Sequence, residues 1–116
     1  MLNLAPPVRI WLCTQPTDMR KSFDTLAALV RQGLAQDPLS GSLFVFVGRR
    51  ADRLKILYWD RDGYALWAKR LERGTFRPPA GVGGGVALSP AELAMLLEGI
   101  ELGGARRRKR ITINNI

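Results

Sequence analysis

Residues 42 to 71 constrain the fold more than any other stretch. The run "SLFVFV" (42–47) is almost continuously apolar and rich in β-branched and aromatic side chains, the pattern of an interior strand. "GRRAD" turns the chain, and "RLKILYW" (53–59) reads as a second strand. "DRDG" (60–63) has turn chemistry ending in a glycine, and "YALWAKRL" (64–71) makes a third β-rich run. Three such runs joined by turns this short predict an antiparallel meander.

The rest of the chain adds helices and one more β-rich run. "VRIWLC" (8–13) follows the pair Pro6-Pro7 and reads as a strand. From Asp18 to about Leu34, Met19, Phe23, Leu26, Ala27, Val30 and Leu34 recur at helical spacing. Thr17 or Asp18 is the expected N-cap, and Gly33 lies near the stop. "ERGTFRPPAGVGGG" (72–85) is Gly/Pro-rich and is expected to be a mobile loop. In "LSPAELAMLLEGI" (88–100), Ser89 is the N-cap, Pro90 takes the first helical position and Glu92 closes a capping box. Leu93, Leu96, Leu97 and Ile100 form the apolar stripe. The expected fold is α+β: a mostly antiparallel sheet of four to five strands with two helices on one face. Residues 1–104 form a single domain, and 105–116 a flexible basic tail.

Charge points to a polyanion. The 116 residues carry a formal net charge of +8, from 18 Lys plus Arg against 10 Asp plus Glu, and most of the cations are arginines. A guanidinium offers phosphate a planar, bidentate fork, so a small Arg-rich basic domain favours nucleic acid over an anionic membrane or an acidic protein. Alternation along the middle strand puts Arg53, Lys55, Leu57 and Trp59 on one face. It leaves Leu54, Ile56 and Tyr58 to pack on the helices. The candidate phosphate contacts are Arg49, Arg50, Arg53, Lys55, Arg70 and Arg73, together with Arg106, Arg107, Arg108, Lys109 and Arg110 of the tail. Trp59 and Trp67 either stack on bases or serve as core or interface residues. Asp52, Asp60 and Asp62 are available to pair with the arginines.

The residue inventory argues against catalysis. The chain has no histidine, the commonest general base and nitrogen ligand, and its one cysteine, Cys13, rules out an intrachain disulfide or a thiolate zinc cluster. "GVGGG" lacks the Lys and the helix of a phosphate-cradling loop. Asp60 and Asp62 with Glu72 are the one conceivable Mg²⁺ set, but Asp-Arg-Asp-Gly is more simply a turn. No catalytic residue, cofactor or metal is expected. Without a basic leader or an apolar run of about 20 residues, the protein is expected to be cytoplasmic and without membrane contact.

The segments "DMRKSFDTLAALV" (18–30), "DPLSGSLFVFVGRRADRLKILYWDRDGYALWAKRLERGTFRPP" (37–79) and "LSPAELAMLLEGIEL" (88–102) closely resemble an accessory protein family of bacterial insertion sequences. It is the second-open-reading-frame family, often labelled TnpB, of the IS sixty-six type. The resemblance runs in order along nearly the whole chain and departs in "AGVGGGV" and in the tail. It implies a helper in DNA transposition, encoded beside a separate transposase that cleaves and joins strands, and it carries over no catalytic residues. The expected partners are DNA and that transposase. A homo-oligomer is the third option. The alternative role is an adaptor that docks on the transposase or on itself through Trp59, Trp67 and apolar helix faces without touching DNA.

Overall fold

The computed structural model describes residues 8–81 and 83–102. One sheet contains β1 (Ile10–Cys13), β2 (Leu43–Val47), β3 (Arg53–Asp60), β4 (Gly63–Arg70) and β5 (Gly85–Leu88), in the order β4-β3-β2-β1-β5. Two helices join it, α1 (Phe23–Gly33) and α2 (Pro90–Leu97). The expected α+β class and the β2-β3-β4 meander are both present. β1 runs parallel to β2, because α1 lies between them as a crossover, and β5 returns antiparallel on the outer side of β1.

The centre of the sheet is β2, and all five of its residues are buried. Its alternation sends Leu43, Val45 and Val47 to one side and Phe44 and Phe46 to the other. Each side needs its own cover. α1 lays Leu26, Ala27 and Val30 on Phe44, Phe46 and Leu57, whereas α2 lays Leu93 and Leu96 with Val45 and Ile56 on the opposite side. The helices therefore occupy opposite faces rather than one, which corrects the expectation from sequence. The physical reason is that a strand apolar on both sides cannot leave either side to water. A second correction follows: the Lys55–Leu57–Trp59 side of β3 is not open, since Leu57 is fully buried beneath α1.

The start of α1 also differs from the expected Asp18. The N-cap is Ser22, whose N–H donates to Thr25 Oγ1 at 3.1 Å. Thr17 is held elsewhere, its N–H donating to Val47 O at 2.9 Å, and Asp18 accepts from the Arg20 backbone. Neither remains free to open a helix. α2 forms as expected, with the Glu92 N–H donating to Ser89 Oγ and the Ser89 N–H donating to Glu92 Oε1. It ends at Leu97, however, so Ile100 is not part of its stripe and is exposed. Within the irregular segment after β4, Phe76 is fully buried against the α2-side core, and its N–H donates to Ala51 O at 2.6 Å. The tail 105–116, with Arg106, Arg107, Arg108, Lys109 and Arg110, lies outside the described residues.

Two substitutions test this packing. Phe76→Ala empties a ring-sized space beneath the β2–β3 turn and is expected to lower the unfolding free energy by about 3–5 kcal/mol in urea titrations. Arg61, in the β3–β4 turn, has φ +57°, a conformation that glycine adopts without the Cβ penalty. Arg61→Gly is expected to stabilise the fold by about 0.5–1 kcal/mol in the same measurement.

Candidate nucleic-acid interface

The β2–β3 turn carries Arg49 and Arg50, and its shape is fixed by four backbone bonds. Gly48 N–H donates to Arg53 O, Ala51 N–H to Gly48 O, Leu71 N–H to Asp52 O and Phe76 N–H to Ala51 O. Ala51 takes φ +61°, so the turn is held in a conformation that its sequence does not favour by itself. Opposite stands the segment before α1. Thr17, almost fully buried, bridges to Gly48, and the Met19 side chain lies so close that a Cβ on Gly48 would stand 2.7 Å from Met19 Cγ.

Between these two walls is a hollow of about 410 Å³ whose charged lining is Arg20, Arg49, Arg50 and Arg53 together with the carboxylates Asp18, which pairs with Arg20, and Asp52. A second hollow, of about 540 Å³, shares Met19 and Arg53 with it and extends to Lys55 and Arg70. Arg53 and Arg70 stand directly opposite each other across the β3–β4 ladder. Like charges so placed repel unless an anion joins them. The N-terminus of α1 is at the same end of the sheet, where Lys55 Nζ donates to Lys21 O at 2.8 Å, and its dipole adds to the positive potential.

The cations of this end differ in how they are engaged. Among the described residues, Arg49, Arg50, Arg53 and Arg73 form no ion pair, and all four are exposed. Arg70 pairs with Glu72 at 3.0 Å, both well exposed, a contact that contributes little and that a phosphate can displace. Lys55 is half-buried and bound to a carbonyl. Arg73 lines neither hollow. Lys69, on the other face, donates to Leu97 O at the end of α2 and so serves the fold.

The tryptophans are apart from this cluster. Trp59 lies at the far end of the hairpin and packs edge-to-face on Tyr64, with ring centroids 5.2 Å apart. Trp67, opposite Ile56, packs on the α2-side core. Neither ring shares the hollows with the arginines. The three carboxylates weighed as a metal set are also separated. Asp60 and Asp62 sit at the β3–β4 turn and Glu72 beyond the other end of β4, a strand length of roughly 25 Å away. Among the described residues, no group of three or more His, Cys, Asp or Glu side chains could hold a metal ion, and no helix is long and apolar enough to cross a membrane.

Arg20 and Met19 join the site although their helical spacing places them in α1, which instead starts at Phe23. The signal was present in "TDMRKSFDT": Asp18 and Arg20 have the spacing of a side-chain turn, and Ser22 with Thr25 marks the later helix start. Asp18 accepts from Arg20 Nε at 3.0 Å, from its second guanidinium nitrogen at 2.7 Å and from its backbone N–H at 2.9 Å. The Arg20 side chain first, and its backbone N–H second, hold the Asp18 carboxyl well below the ordinary carboxylate range, and Arg20 is raised in return. A carboxyl depressed by folding contributes stability above its unfolded value, near ~4, and loses it only as pH falls through the lower folded value. The Asp18 carboxylate is accordingly expected to stay ionised, its carboxyl carbon shift unchanged, in an NMR titration from neutrality down to about pH 3, where an unpaired aspartate is mostly protonated.

The family model described as "IS66 Orf2 like protein" matches residues 8–107. The chain is 46% identical over 101 residues to the uncharacterized protein y4hO of Sinorhizobium fredii (strain NBRC 101917 / NGR234), covering 87% of this chain and 88% of that one. It is 38% identical over 108 residues to the uncharacterized protein y4jC of the same strain, covering 93% and 92%. No solved structure gives a significant match.

Proposed function

From the premise that the chain belongs to the IS66 Orf2-like family, we propose that it is a non-catalytic accessory protein of DNA transposition that grips DNA by its phosphates at the Arg49–Arg53 end of the sheet. It would act beside the transposase encoded by the same element. The supporting observation is the convergence of Arg49, Arg50 and Arg53 on one hollow without ion-pair partners among the described residues, next to the directly opposed Arg53 and Arg70. Phosphate is the anion that guanidinium forks fit best, and a duplex presents it in a regular row.

The same geometry sets the character of the grip. Phosphate contacts fix position and orientation but carry no base information, and among the described residues no aromatic ring lines either hollow to stack on an unpaired base. Binding should therefore be strongly salt-dependent and nearly indifferent to sequence. Sequence choice is left to the transposase. The adaptor reading draws on a different feature, the exposed Met95 and Ile100 at the end of α2, which offer apolar contact to a protein.

Fluorescence anisotropy with a labelled duplex across a salt series tests the DNA reading. Arg49→Glu with Arg50→Glu is expected to weaken binding about tenfold or more and to flatten the slope of log K against log salt by nearly 2. Arg61→Glu makes the same kind of charge reversal at the distant turn and should change little. Equal loss from both variants would reduce the effect to net charge. No binding at low salt, together with a salt-resistant complex with the transposase, would favour the adaptor.

A further inference from the structure

β4 is the outermost strand of the sheet, and among the described residues no strand lies beyond it. Its hydrogen-bonding parity follows from the hairpin. Asp60 and Gly63 close a two-residue turn, and Leu71 N–H still donates to Asp52 O in phase at the other end. Gly63, Ala65, Trp67 and Lys69 therefore spend their peptide groups on β3. Tyr64, Leu66, Ala68 and Arg70 turn theirs outward.

Exposed edges are normally blunted by charge, proline, a bulge or short length. β4 has eight residues, pairs with β3 without a bulge, contains no proline and has no charged side chain from Gly63 to Ala68. Its two ends, by contrast, carry opposite charge. Asp60, Arg61 and Asp62 make the end before it net negative, and Lys69 and Arg70 close it, Arg70 paired with the exposed Glu72.

We propose that this edge pairs antiparallel with the same edge of a second copy, making a continuous ten-stranded sheet across a twofold axis. An antiparallel register centred on Leu66 satisfies the outward peptide groups of both copies. It sets Tyr64 against Ala68 of the second copy, and Trp67 against Ala65, so each large ring meets a methyl. It also brings Arg70 opposite the Asp60–Asp62 turn of the other chain, twice per dimer. A parallel pairing would place like charges together at both ends. The proposal does not rest on the DNA reading, with which it shares only Arg70.

Sedimentation equilibrium of the full chain over a micromolar to submillimolar range provides the test, with circular dichroism as the check on folding. The wild type is expected to dimerise. Ala68→Pro removes an outward N–H that the monomer does not use and should abolish the dimer while leaving the fold. Arg70→Asp alone and Asp62→Arg alone should each weaken the dimer roughly tenfold, and the double exchange should restore it. A monomer at every concentration would overturn the proposal. So would a dimer unaffected by Ala68→Pro, or one that the double exchange fails to rescue.

Discussion

The double-sided burial of β2 is the constraint from which the rest of the structure follows. Leu43, Val45 and Val47 require cover on one face, and Phe44 and Phe46 require it on the other. Among the described residues two helices are available, and one goes to each side. α1 can reach its side only as a crossover from β1, which makes β1 parallel to β2 and brings residues 14–22 to the end of the sheet where β2 finishes. The β2–β3 turn emerges at that same end. The meeting of Arg20 with Arg49, Arg50 and Arg53 is thus a consequence of how the core is covered.

Much of this was legible in the sequence, and the failures have physical causes. The meander, the α2 capping box and the completely apolar β2 could all be read from residue order, because each rests on local chemistry. The side on which each helix packs could not, since a strand apolar on both faces does not say which helix serves which face. Helical spacing extends back to Asp18 because Met19 keeps the apolar period, whereas Asp18 and Thr17 are tied to other partners. Phe76 was hidden in a Gly/Pro-rich stretch that looks like loop, yet it is the side chain on which the Arg-bearing turn rests. Alternation groups Arg53 and Lys55 with Trp59 on one face, but the distance along the hairpin to Trp59 argues against a joint cation-and-ring surface.

The division of labour among the cations supports a phosphate-binding role. Lys55 and Lys69 are committed to backbone carbonyls and serve the fold, whereas the arginines on the turn are left to solvent on a rigid support. Rigidity matters because a preorganised fork loses little freedom on binding. Twofold pairing through β4 would repeat the cluster on the same face of the extended sheet. Strand geometry puts the two copies about 30 Å apart, close to the ~34 Å of one duplex turn. In that arrangement a helper without base-reading groups could still align a stretch of DNA for a separate enzyme.

The most direct measurement is a residue-by-residue map of where DNA touches the protein, from NMR chemical-shift changes on titrating a short duplex into the labelled chain. The account requires the amides of residues 17–21 and 48–53, and the guanidinium signals of Arg49, Arg50 and Arg53, to shift together and to return toward their free positions as salt is added. Shifts centred instead on Trp67, Met95 or the Asp60–Asp62 turn, or no shifts at low salt, would contradict it.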